Sequence, residues 1–156
     1  MRAIDNFIQE WNANVDNNQV LFEYKSFKTE FEYESYLDLV PEILRFSITK
    51  LRLSVHNLRI HSDRFGANRI PRNERYCLFC NDHDLEDIFH FVLKCPLYND
   101  IRKRFINSYF RTRPSVFKLN QLLSTDNSRY LKNLAFYIKE AFKLRHSNIN
   151  ITITDQ

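Results

Sequence analysis

Cys77, Cys80, His90 and Cys95 follow the spacing Cys-x2-Cys-x9-His-x4-Cys, and no other feature constrains the fold of this chain as tightly. Two thiolates three residues apart on a tight loop form a knuckle that can grip one tetrahedral ion. A second pair from a following helix completes the four soft or borderline ligands that structural zinc prefers. The quartet uses all three cysteines in the sequence. It leaves no open coordination position, so the spacing predicts one structural Zn2+ and not a hydrolytic centre. A disulfide framework is disfavoured, because three cysteines cannot all pair. Asp5, Asn6 and Glu10 interrupt the N-terminal region where a signal peptide would be apolar. No apolar run approaches the ~20 residues needed to cross a bilayer. These observations place the expected location inside the cell, nuclear or cytoplasmic, where clustered cysteines serve as metal ligands.

The second ligand pair carries a geometric difficulty. Residues five apart lie about 140° round an ideal α-helix, so His90 and Cys95 do not face one ion squarely. Pro96 offers a way out, since the residue before proline is pushed from the α region. Cys95 is therefore expected to leave the helix and swing towards the metal. Glu86, one turn before His90, is the expected partner for the free ring nitrogen of His90. His83 is a rival ligand by proximity to the knuckle, but Asp82 and Asp84 beside it read as an exposed loop. His56 and His61 sit on a helix flank and are left out of the metal set, as surface or capping residues.

Gly66 is the only glycine in 156 residues, and there are four prolines. A β-sandwich or barrel needs more turn residues than that, and glycine-rich phosphate loops are excluded. Apolar residues at 44% and aromatics at 15% predict a packed core. The expected architecture is one mainly α domain over 1–156, with minor or no β structure. It divides into an N-terminal helical part (1–71), a zinc-binding segment (72–98), C-terminal helices (99–146) and a tail (147–156). Helical spacing is read over 3–15, before an Asn/Asp-rich turn at 12–18. An extended piece and a short helix over 32–39 come next. Leu44, Ile48, Leu51, Val55 and Leu58 then define a long helix over 41–61. Further helices are expected at 85–94, 97–110 (Leu97, Tyr98, Ile101, Phe105 and Tyr109 inward) and 117–123. A last helix is capped by Asp126 or Ser128, and the tail from Ser147 reads as a short strand or a frayed end.

Charge is distributed unevenly. Acids dominate from Met1 to Glu42, whereas Arg45, Lys50, Arg52, Arg59, Arg64, Arg69, Arg72 and Arg75 face only Asp63 and Glu74 between Ile43 and Arg75. Arg45, Arg52, His56 and Arg59 form a stripe on one flank of the expected 41–61 helix. Such asymmetry points to an anionic partner for the middle segment; mutual neutralisation of the two segments is the alternative.

The runs Arg-x2-Arg-Tyr-Cys-Leu-Phe-Cys and Leu-Glu-Asp-Ile-Phe-His-Phe-Val-Leu-Lys-Cys-Pro-Leu-Tyr-Asn-Asp-Ile-Arg resemble the C-terminal Cys/His region of non-LTR (LINE-type) retrotransposon reverse transcriptases. The upstream run from Lys50 to Phe65 resembles the helix preceding that finger. The likeness extends roughly from Trp11 to Arg145 and is most specific between Leu51 and Arg102. It implies zinc ligation by Cys77, Cys80, His90 and Cys95, and nucleic-acid engagement beside a polymerase. No Tyr-x-Asp-Asp polymerase motif and no Pro-Asp…Asp/Glu-x-Lys nuclease pattern occurs. No spacing assembles a nucleophile, a base and an oxyanion site, so no catalysis and no small-molecule substrate are expected. The expected function is a zinc-binding module that contacts RNA or DNA through Arg45, Arg52, Arg59, Arg64, Arg69, Arg72 and Arg75. Tyr76 and Phe79 are available for stacking. The alternative is a scaffold that docks a reverse transcriptase domain or another protein, without nucleic-acid contact.

Overall fold

The computed structural model describes the backbone from residue 2 to 154 and side chains from 2 to 150. The chain is mainly α. We label its principal helices α1 (Arg2–Asn17), α2 (Glu42–Arg52), α3 (Asn99–Phe105), α4 (Val116–Leu123) and α5 (Ser128–Thr154). Among the described residues the only β pairing is an isolated antiparallel bridge between Tyr76 and Leu85. No described helix is long and apolar enough to cross a membrane.

The core forms where α5 packs against α2 and α3. Leu131, Leu134, Ala135, Ile138 and Ala141 recur at three- and four-residue steps, giving α5 one apolar stripe. That stripe meets Leu44, Ile48 and Leu51 of α2, and all eight side chains are buried. Phe91, Tyr98 and Tyr137 fill the junction with the Cys/His segment. Phe91 and Tyr98 meet edge-on with centroids 4.9 Å apart, and the Tyr137 hydroxyl donates to the Phe91 carbonyl at 2.5 Å.

The single helix expected over 41–61 is broken. Helix α2 stops at Arg52, and Ser54 takes the left-handed conformation at φ 58°. Ser54 N–H donates to Leu51 C=O at 3.2 Å and Val55 N–H to Lys50 C=O at 2.9 Å. This is a Schellman ending made without glycine. The apolar stripe therefore does not run through: Val55 is exposed whereas Leu58 is fully buried in the next segment. A second short turn follows at Arg59–Ser62.

Other boundaries also move. Helix α1 runs through the expected turn to Asn17, with the Asn18 side chain capping the 3-10 turn that follows. The helix expected over 97–110 is interrupted, because Ile106 is extended and the Asn107 side chain caps a new turn, Ser108–Arg111. The change of register buries Phe110 and leaves Tyr109 exposed. The tail is neither strand nor frayed as far as Thr154, because α5 continues to that residue; Asp155 and Gln156 lie outside the described residues.

Candidate metal centre

The knuckle is built on a small hairpin. Cys77 N–H donates to Asp84 C=O and Glu86 N–H to Arg75 C=O, both at 2.9 Å. Phe79 N–H points at Cys77 Sγ at 3.4 Å, a charge-supporting contact once that sulfur is a thiolate. The hairpin holds Cys77 and Cys80 against the turn that carries His90 and Cys95.

That turn resolves the spacing difficulty in two ways. His90–Lys94 is a π-helical turn, and Cys95 N–H donates to His90 C=O, five residues back, at 2.7 Å. A π turn holds one more residue than an α turn, so residues five apart come to stand nearly one above the other. Cys95 itself is extended, with φ −49° and ψ 124°, as the residue before Pro96 should be. Proline thus explains the exit of Cys95 from the helix, while the widened turn supplies its alignment with His90.

The four donor atoms, from Cys77, Cys80, His90 and Cys95, all lie within 4.8 Å of one another. Cys77 Sγ and Cys95 Sγ are 3.9 Å apart, and Cys80 Sγ and His90 Nε2 are 3.4 Å apart. A tetrahedron with metal–sulfur bonds of about 2.3 Å and a metal–nitrogen bond of about 2.0 Å has edges of about 3.8 Å and 3.5 Å. The site is therefore close enough to hold one metal ion. Its donor set, three sulfurs and one imidazole nitrogen, fits a closed tetrahedral site. Protonation reflects the crowding: the shared hydrogen bond with Cys95, together with burial, pushes the Cys77 thiol up to about 12. Burial also raises Cys80. Burial opposes charge on His90, but Cys77, Asp84 and Asp87 outweigh it and raise its pKa. A bound cation would replace those protons.

The expected role of Glu86 is overturned. Both its carboxylate oxygens are taken by Arg145, at 2.8 Å each, and one also accepts Arg59 N–H at 2.8 Å. Its backbone carbonyl accepts Ile60 N–H. The carboxylate facing His90 Nδ1 is Asp84, at 3.5 Å, which also pairs with Lys94; pairing with Lys94 keeps the Asp84 pKa low. His83 is not part of the cluster. It sits exposed at the hairpin tip with φ 52°, edge-on to Tyr76.

The guanidinium stripe expected on the 41–61 helix does not exist as a surface. Arg52 is buried, paired with Glu34 at 2.6 Å and bonded to the Leu123 carbonyl, with Phe27 and Tyr36 against its plane. Arg45 donates to the Val40 carbonyl that precedes α2. Arg59 pairs with Asp63 and donates to Tyr76 C=O. Arg75 donates to the Ile60 and Ile70 carbonyls. These four bind the chain to itself. Arg64, Arg69 and Arg72 are different: among the described residues their guanidinium groups have neither a carboxylate within ion-pair distance nor a carbonyl within hydrogen-bond distance. With Arg75 they line a groove of about 790 Å³ that also contains Phe22 and Phe65. Arg72 lies over the Phe22 ring at 4.5 Å and Arg64 over Phe65 at 5.3 Å. Burial and the charges of Arg64 and Arg72 lower the pKa of Arg75, the mark of cations crowded together. Phe79 packs against the core and Arg145 lies over its ring, while Tyr76 is exposed beside the knuckle.

Sequence reasoning missed two arginines that organise the centre. Arg102, almost fully buried, donates to the carbonyls of Val92 at 2.8 Å and Cys95 at 2.9 Å. It thereby satisfies backbone acceptors at the end of the π turn. Arg145 holds Glu86. Each stands on an apolar stripe, Arg102 beside Tyr98 and Ile101, Arg145 four residues after Ala141. A cation on a core-facing stripe was the available signal. Compared with known proteins, the chain matches no family model, no curated protein and no solved structure.

Proposed function

We propose that this chain is a non-catalytic module in which one Zn2+ at Cys77, Cys80, His90 and Cys95 orders a single-stranded nucleic-acid-binding groove. The observation that carries the reading is the groove itself: among the described residues Arg64, Arg69 and Arg72 have no acidic partner, and they stand beside two exposed phenylalanines. Guanidinium forks suit phosphate oxygens, and exposed aromatic faces suit unstacked bases. Zinc is the ion favoured by three thiolates and an imidazole in a closed site. Groove and knuckle share backbone: Arg75, in the groove wall, accepts Glu86 N–H and begins the hairpin that bears Cys77. Likeness to the Cys/His region of LINE-type reverse transcriptases supports the same role and suggests a polymerase domain as neighbour.

The test is binding of labelled single-stranded RNA, single-stranded DNA and duplex across a salt series. Three phosphate contacts on a single strand imply a log–log slope of about −2, so affinity should fall roughly 20-fold from about 50 to 200 mM salt. Substituting Arg64, Arg69 and Arg72 with Gln together should remove most of the binding. Affinity that ignores both salt and these substitutions overturns the reading. A second reading, docking of another protein, is favoured by the exposed Ile4 and Phe7 on α1; it expects a polypeptide partner and no nucleic-acid binding.

A further inference from the structure

We propose that Glu23, His56 and His61 form a second metal site, which takes one divalent transition ion through two imidazoles and a carboxylate. The three residues come from different segments: Glu23 from the turn after α1, His56 from the loop after α2, and His61 from the Arg59–Ser62 turn. One donor atom of each lies within 4.8 Å of the others. Glu23 Oε2 and His61 Nε2 are 2.8 Å apart, and the two imidazole rings meet edge-on with centroids 4.8 Å apart.

The observation that points to a ligand is a pair of orphaned nitrogens. His56 Nε2 and His61 Nδ1 are both buried with no hydrogen-bond partner among the described residues, and His61 is only 4% exposed. A buried polar atom without a partner is uncommon and calls for an ion or a water beside it. His56 Nε2 offers a free donor, and the second imidazole already meets the Glu23 carboxylate through His61 Nε2; two imidazoles and a carboxylate match the chemistry of a cation. Protonation agrees with that: burial and His61 push His56 down to about 4, so its ring is neutral and has a lone pair near pH 7. Burial works to raise the Glu23 pKa, but hydrogen bonds from His61 and Ile88 hold it below the usual carboxylate value. Leu58 N–H donates to His56 Nδ1 over a long 3.3 Å. That contact is given up when the ring proton moves to Nδ1 and Nε2 takes the metal.

The donor set distinguishes this site from the cysteine centre. Two nitrogens and an oxygen suit Zn2+, Co2+ or Fe2+ and leave at least one coordination position for water. The sequence alone could not reveal it, because Glu23 lies 33 residues before His56 and nothing in that spacing resembles a motif. Position gives the ion a mechanical consequence as well. Glu23 Oε1 accepts Ile88 N–H at 3.0 Å, two residues before His90, so a cation here would tie the N-terminal segment to the ligand-bearing turn.

The experiment is a Co2+ titration of the reduced, metal-free full chain, followed optically. Two equivalents are expected. One should show thiolate-to-cobalt charge transfer and an intense tetrahedral ligand-field band; the other should show weak ligand-field absorption without charge transfer. Glu23→Gln and His56→Asn should each abolish the weak equivalent and keep the intense one, which also reports that the fold is intact. Should Glu23→Gln fail to fold, His56→Asn decides alone, since His56 is only partly buried. A wild-type protein that takes one equivalent overturns the proposal, as does a second equivalent that survives His56→Asn.

Discussion

Replacing Glu86 with Ala should be among the most damaging single changes outside the cysteines. Its carboxylate binds Arg145 through two 2.8 Å hydrogen bonds, the side chains being 1% and 5% exposed, and it also accepts Arg59 N–H. Removing one member of a buried ion pair leaves the other desolvated and uncompensated, at a cost of about 3–5 kcal/mol. A domain of ordinary stability holds about 5–15 kcal/mol in total, so roughly a fifth of the margin is at stake at the least, and all of it at the most. For a chain of this length that corresponds to a fall in Tm of roughly 10 °C. Urea unfolding in the presence of zinc measures it, with an unchanged m-value showing that the same surface is exposed. The double variant Glu86→Leu with Arg145→Met removes both charges and should recover much of the loss, because isosteric apolar replacement of a buried pair is often neutral. A single-variant cost below about 1 kcal/mol would refute the reasoning, as would a double variant that loses the sum of the two singles.

Asp84→Asn should weaken metal affinity by about tenfold, whereas Glu86→Gln should leave it nearly unchanged, because Asp84 and not Glu86 faces His90 Nδ1; competition with a chromogenic chelator reads both. Ser54→Gly should stabilise the chain by about 0.5–1 kcal/mol in thermal unfolding, since it relieves a left-handed backbone and removes a buried hydroxyl that has no partner among the described residues. Cys80→Ser should abolish the thiolate-rich metal equivalent and raise protease cleavage within residues 72–98; full protection of that segment in the variant would count against a zinc-ordered hairpin.

What could be read from the sequence was whatever depends on local spacing. The gathering of Cys77, Cys80, His90 and Cys95, the exit of Cys95 before Pro96, and the helical class follow from residue types a few positions apart. The break after α2 was hidden, because Leu58 continues the stripe of Leu44, Ile48 and Leu51 as if the helix ran on, and Ser54 in a left-handed cap carries no glycine to announce it. The arginines misled for a related reason. Spacing placed Arg52 on a solvent-facing flank, but its partners, Glu34 and the Leu123 carbonyl, lie 18 and 71 residues away. Long-range pairing of the acidic and basic segments thus absorbed part of the charge asymmetry through Arg52–Glu34, and a hydrogen bond joins the same segments at His61 and Glu23. Among the described residues Arg45, Lys50, Arg64, Arg69, Arg72 and Arg75 take no part in that pairing, and of these arginines only Arg45 and Arg75 donate to carbonyls instead. Glu86 was expected one helical turn before His90 as its partner; instead it directly follows the Tyr76–Leu85 bridge and turns towards Arg145 of α5.

The π turn at His90–Lys94 gives the candidate metal centre a tolerance in chain length. Phe91, Val92 and Leu93 are all buried, yet the turn contains one residue more than an α-helix would use. Deleting a single position there would let the ladder close at normal pitch. His90 and Cys95 would then be four apart, about 40° round an α-helix and still on one face. The donor pair would survive with one buried side chain lost from the apolar wall. His-x3-Cys in an α turn and His-x4-Cys in a π turn are thus two spellings of one geometry. What would dismantle the site is the present spacing forced into a regular α-helix, which sets the two residues about 140° apart.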